Sequence, residues 1–230
     1  MSHVAENLAR ITDRIQDACR RGGRTPDEVR LMAVSKRQPV ERIREAVAAG
    51  LRLFGESRVQ ETEARRDLFP EDAEIHLIGH LQRNKARDAA RLYHAVDSVD
   101  AERTAHALHG RLTEQERRMP ILLEVNTSGE ESKQGVRTYD QLTALVSAVT
   151  PLTALTITGL MTIGPVSTDE GELRRAFASL RQFSERLARD FPNLPLSELS
   201  MGMSNDYEYA ILEGATTVRL GTALFGARGS

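Results

Sequence analysis

Val29-Arg30-Leu31-Met32-Ala33-Val34-Ser35-Lys36-Arg37-Gln38-Pro39 is the stretch on which the fold turns. A short apolar run ends at Lys36, a polar loop follows, and an amphipathic segment occupies 40–49. That order reads as strand, loop and helix. The Lys36 amine then stands at the C-terminal end of its strand, where β/α barrels carry their chemistry. A lysine partly desolvated in such a place is held as a neutral amine, able to attack a carbonyl. A solvated or salt-bridging lysine is the ordinary alternative, and the rest of the chain decides between them.

The same alternation repeats along the sequence. Strands are expected at 29–34, 51–55, 74–78, 93–96, 121–126, 155–161, 196–200 and 217–220. Helices are expected at 40–49, 57–67, 84–92, 101–115, 139–149, 170–190, 206–213 and 222–226. Eight strands, each followed by a helix, imply a parallel sheet. Closed on itself, that sheet is a (β/α)8 TIM barrel, here a single domain over 1–230. Val4, Leu8, Ile11, Ile15 and Ala18 mark one face of an extra N-terminal helix, which Gly22-Gly23 ends. No Gly-x-Gly-x-x-Gly follows the first strand, which argues against a dinucleotide fold.

Composition narrows the function. The 230 residues are 40% hydrophobic but only 4% aromatic, with no Trp, so the core is aliphatic and rich in alanine. A net charge of −2 gives no general pull on nucleic acid. The single cysteine, Cys19, excludes an internal disulfide framework and fits a reducing cytoplasm, as buried filler in a helix. Neither a signal peptide nor a run of membrane-spanning length is present, so a soluble cytoplasmic protein is expected.

The last quarter carries the second signal. Ser200-Met201-Gly202-Met203-Ser204-Asn205-Asp206 follows the seventh strand and Arg219-Leu220-Gly221-Thr222 ends the eighth. Barrels often bind phosphate at those two loops, through backbone N–H groups at a short helix. Gly202 and Gly221 would let backbone approach a ligand, and Ser204 and Thr222 add hydroxyls, although each hydroxyl also fits a plain helix N-cap. An amine after strand one and a phosphate cup after strands seven and eight share one barrel face. Pyridoxal 5′-phosphate (PLP), an aldehyde with a phosphate, would bridge them.

These motifs run through a longer set: Ala33-Val34-Ser35-Lys36, Phe54-Gly55-Glu56 with Val59-Gln60-Glu61, His76-Leu77-Ile78-Gly79 with Leu81-Gln82 and Asn84-Lys85, Ser132-Lys133 with Gly135, Gly159-Leu160-Met161, Leu199-Ser200-Met201-Gly202-Met203-Ser204, and Val218 through Arg228. Taken in this order over nearly the whole chain, they resemble the PLP-homeostasis proteins, called YggS in bacteria and PROSC in animals, whose barrel resembles the PLP domain of alanine racemase. The resemblance implies a Schiff base between PLP and Lys36, phosphate binding by Ser204, Gly221 and Thr222, and Arg219 facing the pyridine nitrogen. A permanent cation there disfavours protonation of the ring and weakens it as an electron sink. The alternative for Arg219 is an ion pair with Glu56 or Glu124. The sequence departs from the family's usual reading at Ser57-Arg58 (commonly Asn-Tyr), Ile75 (Trp) and His80 (Pro), and a cofactor contact is not carried over to the shorter Ser57.

Two functions compete. One is a non-catalytic, monomeric carrier that holds PLP and supplies apo PLP-dependent enzymes; the other is a PLP enzyme of racemase or decarboxylase type. Racemisation needs acid–base groups on both faces of the substrate carbon. The racemase supplies the second face from an extra domain and a partner subunit, whereas this sequence stops where the barrel closes, so the carrier is expected. A phosphosugar barrel without PLP would leave Lys36 unexplained. The histidines are expected to be surface or supporting groups rather than metal ligands, Lys133 to be solvent-exposed, the basic stretch Gln82, Arg83, Asn84, Lys85 and Arg87 to be solvated, and Met161, Met201 and Met203 to be soft packing.

Overall fold

The computed structural model describes residues 2–226, so Ala227 and Arg228 of the last motif lie outside the described residues. Its strands are β1 (Arg30–Val34), β2 (Leu53–Glu56), β3 (Glu74–Leu77), β4 (Ala95–Val99), β5 (Met119–Glu124), β6 (Leu155–Met161), β7 (Glu198–Ser200) and β8 (Thr217–Leu220). They close into a barrel in chain order, every pair parallel, with β8 against β1. The helices are α1 (His3–Arg21), α2 (Val40–Ala48), α3 (Val59–Glu63), α4 (Ala86–Leu92), α5 (Glu102–Glu114), α6 (Tyr139–Val149), α7 (Glu170–Asp190), α8 (Tyr207–Leu212) and α9 (Thr222–Phe225). The expected (β/α)8 barrel with an added N-terminal helix is therefore the observed fold.

Local chemistry sets the helix ends. The Ser2 hydroxyl accepts the Ala5 N–H at 3.3 Å to start α1, and Asp169 accepts the Glu172 N–H at 2.7 Å to start α7. Helix α7 buries Leu173, Phe177, Leu180 and Leu187 on one stripe. The strands alternate. Ala33, Phe54, Ile75, Leu77, Val96, Ile121, Leu123, Leu160, Val218 and Leu220 join the apolar layer beneath the helices. The intervening positions turn into the barrel, among them Met32, Gly55, His76, Asp97, Glu124, Ser200 and Arg219. The register sets Met32 beside Arg219 and Val34 beside Gly55.

Several boundaries differ from the sequence reading: β5 runs Met119–Glu124 rather than 121–126, β7 begins at Glu198 rather than 196, α4 begins at Ala86 rather than 84, and three further differences stand out. β2 begins at Leu53 rather than 51, because the Arg52 guanidinium binds the Val47 and Leu51 carbonyls and turns the chain. β4 runs Ala95–Val99 rather than 93–96. Tyr93 belongs to the end of α4, its hydroxyl meeting that of Thr62 at 2.7 Å. Polar Asp97 and Ser98 extend the strand, since Asp97 pairs with His76 in the barrel and Ser98 Oγ donates to the Gly79 carbonyl. The expected helix over 57–67 is only α3, then a short 3-10 turn at Arg66–Leu68.

Candidate functional site

At the C-terminal mouth of the barrel a cavity of about 380 Å³ is lined by residues from the loops after β1, β5, β6, β7 and β8. Lys36, Ser204, Arg219, Gly221 and Thr222 all line it. Its volume lies within the range of small-ligand sites.

The loop carrying Lys36 is held from beneath. Ser35 is buried and its hydroxyl donates to Glu56 Oε1 at 2.7 Å, while its carbonyl accepts the Gln38 N–H at 3.1 Å. Arg37 takes the left-handed backbone conformation at φ 59°, with its N–H on Glu61 Oε1 at 2.6 Å. Lys36, half-buried, therefore projects from a sharply turned, hydrogen-bonded loop into the cavity. Glu56 itself is fully buried, and Oε2 has no hydrogen-bond partner. Desolvation drives its pKa up to about 7, against the Ser35 hydrogen bond and the nearby Arg65 and Lys36 charges, with Glu61 adding to the rise. The sequence reading saw Glu56 only as a partner for Arg219; a carboxylate closing a wholly buried strand beside Ser35 was the signal available.

The loops after β7 and β8 are tied together. Ser204 Oγ accepts the Ala223 N–H at 3.0 Å, so its hydroxyl proton remains for an acceptor in the cavity. Ser204 is thus a cross-loop clamp rather than the cap of the helix that follows it; Asp206 occupies that cap position and accepts the Met203 N–H. Thr222 opens α9 behind Gly221. Gly202, expected to admit a ligand, does not line the cavity. It has φ 93°, and a Cβ there would lie 2.6 Å from Ala210 Cβ, so glycine is needed for α8 to pack.

Arg219 lies inside the barrel below the cavity. Its Nη1 donates to the Ser200 carbonyl and hydroxyl at 2.7 and 2.9 Å, and Nη2 to the Thr162 carbonyl at 2.7 Å. The ion pair weighed for it with Glu56 or Glu124 is not formed. Burial pulls its pKa below the usual range, and the more distant Asp97, Glu124 and Asp206 oppose that shift. The guanidinium is therefore held in place by neutral oxygens, and its charge is left for the cavity.

Other expectations change. Lys133 is not solvated: Nζ lies 2.6 Å from Glu130 Oε1 and donates to the Gly164 carbonyl at 2.8 Å, on the cavity wall. Met161 and Met201 are buried, but Met203 is exposed on the rim with Val166. His76 is buried, its Nδ1 3.0 Å from Asp97 Oδ1. Desolvation opposes its charge, but Asp97 and Glu74 outweigh that and raise its pKa, which favours the imidazolium. Among the described residues no group of three or more His, Cys, Asp or Glu is disposed to hold a metal ion, and no helix is long and apolar enough to cross a membrane.

Glu124 yields a pH prediction. Burial, then Asp100, raises its pKa to about 7, against the pull of Arg219. A carboxyl raised in the folded state favours folding below its unfolded pKa and loses that contribution as pH climbs through the folded value. Glu124 should therefore cost the ligand-free wild type up to about 3 kcal/mol between roughly pH 4.5 and pH 7. Urea unfolding at about pH 5 and about pH 8 should show Glu124→Gln gaining on the wild type by roughly that amount at the higher pH. Parallel behaviour of the two proteins would refute the assignment.

Residues 6–229 match the family described as "Alanine racemase, N-terminal domain". A curated relative named pyridoxal phosphate homeostasis protein, from Pseudomonas aeruginosa, is 44% identical over 99% of this chain and 97% of its own length. This chain belongs to that family. Another pyridoxal phosphate homeostasis protein, from Aquifex aeolicus, is 40% identical over 98% of this chain and 99% of its own length. PipY of Synechococcus elongatus, 38% identical, is similar in structure with PLP bound, at a TM-score of 0.85 over 97% of this chain and all of PipY. An alanine racemase from Clostridium difficile shares the fold at 13% identity and a TM-score of 0.76, over 98% of this chain and 58% of the racemase.

Proposed function

We propose that this chain takes up PLP at the barrel mouth as a Schiff base with Lys36 and serves PLP homeostasis in the cytoplasm. In this reading it acts as a monomer that delivers cofactor to apo PLP-dependent enzymes without efficient turnover. The observation that carries the reading is one cavity walled by the Lys36 amine on one side and by the Ser204 and Gly221-Thr222 loops on the other. The donor set suits the molecule. The cavity sets an amine toward the aldehyde, a hydroxyl with its own proton to donate and a loop–helix junction toward the phosphate, and a buried guanidinium toward the ring nitrogen. A Cβ on Gly221 would meet only Val34, at 3.6 Å and beyond, which leaves that wall open to a phosphate.

When bound, PLP supplies an aldehyde for amines and a ring able to accept electrons. The chain's own residues limit the second property. Arg219 holds a fixed positive charge where the pyridine nitrogen would sit and disfavours a proton there. Burial raises the Glu56 pKa to about 7, so the carboxyl under the Lys36 loop is only partly ionised near neutral pH and presents less than a full negative charge to the amine. Ser204 binds and orients; Asp206, holding the Met203 N–H, fixes the turn that presents it.

Titrating the purified chain with PLP should give saturable visible absorbance, and Ser204→Ala should weaken binding by roughly tenfold, the worth of a charge-assisted hydrogen bond. The loaded protein incubated with amino acids in deuterated water should not exchange Cα protons at an enzymatic rate. Rapid exchange would favour the racemase-type reading, and absence of any saturable absorbance would remove PLP from the account.

A further inference from the structure

A second cavity, of about 550 Å³, lies beside the first between the loops that follow β2 and β3. Ile78 faces the first cavity, while its neighbours Leu77 and Gly79 line the second, so one strand end separates them. Val59, Leu77 and Leu81 are buried and form an apolar floor. Around it stand Arg58, Gln60, His80, Gln82 and Lys85, with Ser57. No carboxylate lines it. Among the described residues the side chains of Arg58 and Lys85 form no ion pair, whereas Arg52, Arg65 and Arg91 are each paired with an acid. Two such cations lining one cavity on a chain of net charge −2 are a local feature rather than a consequence of composition.

The cavity walls are fixed before any ligand arrives. Gly79 packs against the Ser57 backbone so closely that a Cβ would lie 2.5 Å from the Ser57 carbonyl oxygen. The Gly79 carbonyl is held from behind by Ser98 Oγ at 2.7 Å. The two loops are therefore locked back to back, which removes much of the ordering cost of binding. Ser57, Arg58 and His80 all line this one cavity.

We propose that this cavity is a second binding site, for a small organic anion with an apolar body and a phosphate or carboxylate head. Arg58 and Lys85 neutralise the head, with the Gln60 and Gln82 amides and the His80 ring as donors, and Val59, Leu77 and Leu81 take the body. The inference does not depend on PLP occupying the first cavity.

The test is a nuclear magnetic resonance titration of the full chain with phenyl phosphate, because each cavity then reports separately. Saturable shifts are expected at Gly79 and at the side-chain amides of Gln60 and Gln82. Arg58→Ala and Lys85→Ala should each weaken that response by roughly tenfold, while leaving any response at Gly221 and Thr222 unchanged. Benzoate distinguishes the head groups: binding of both probes gives a general anion site, and binding of phenyl phosphate alone gives a phosphate site. Benzyl alcohol binding as well as phenyl phosphate would overturn the proposal. So would no saturable shift below about 20 mM, or affinities that both substitutions leave intact.

Discussion

Replacing Lys36 with alanine is expected to remove the visible absorbance that PLP should give on the wild-type chain under the proposed function, while near-ultraviolet dichroism should show the barrel still folded. The loop's geometry does not depend on the amine: the Ser35–Glu56, Gln38–Ser35 and Arg37–Glu61 contacts all involve neighbouring groups. Side-chain truncation of a half-buried residue on a polar loop costs little packing. Covalent attachment, by contrast, is lost outright. A second amine on the same cavity, Lys133, makes the experiment discriminating. Lys133 is engaged by Glu130 and the Gly164 carbonyl, so it is expected not to substitute. Absorbance that survives Lys36→Ala and disappears only on further Lys133→Ala would move the attachment across the cavity. Borohydride reduction and peptide mapping of the wild type locate the bond directly.

Gly159→Ala is expected to give an insoluble chain or one destabilised by more than about 3 kcal/mol in urea, since overpacking against backbone cannot relax by rotating a side chain. An added Cβ at Gly159 would sit 1.9 Å from the Glu198 carbonyl oxygen and 2.6 Å from its carbon. β7 is only three residues long and its register with β8 rests on one pair, Ser200 with Thr217, so it has little purchase with which to resist displacement. Moving β7 also moves Ser200, on which Arg219 is anchored. Gly110→Ala is the control. It lies within α5 with nothing within 4 Å of the new Cβ, and should gain about 0.5–1 kcal/mol from helix propensity. Equal stabilities for the two variants would show that β6 and β7 are not in steric contact.

The barrel was legible because its signals are local and repeated. β6 and β8 have the boundaries read from the sequence, as do α6 and α7, where apolar periodicity and caps coincide. The placement of Lys36, Ser204 and Thr222 around one mouth was also legible, since Lys36 closely follows a strand and Ser204 and Thr222 follow glycine turns. What the sequence hid depends on contacts across the barrel. Asp97 and Ser98 looked too polar for a strand because their partners, His76 and the Gly79 carbonyl, come from another part of the chain. Lys133 looked solvated because the Gly164 carbonyl that receives it is contributed 31 residues later. Gly202 looked like a ligand contact, since a positive φ and a tight approach to α8 leave no trace in a single sequence.

Helix α1 packs its apolar stripe chiefly against α8 and α9, and the Asn7 side chain donates to the Leu224 carbonyl at 2.8 Å in a buried contact. Turns made early are thus matched to a carbonyl made 217 residues later. For most of translation that stripe has no native surface to rest on, and the nascent barrel waits for its two final units before it can shut. Slowing elongation just before α8 and α9 are made should therefore lengthen exposure to chaperones and proteases more than an equal delay around β4.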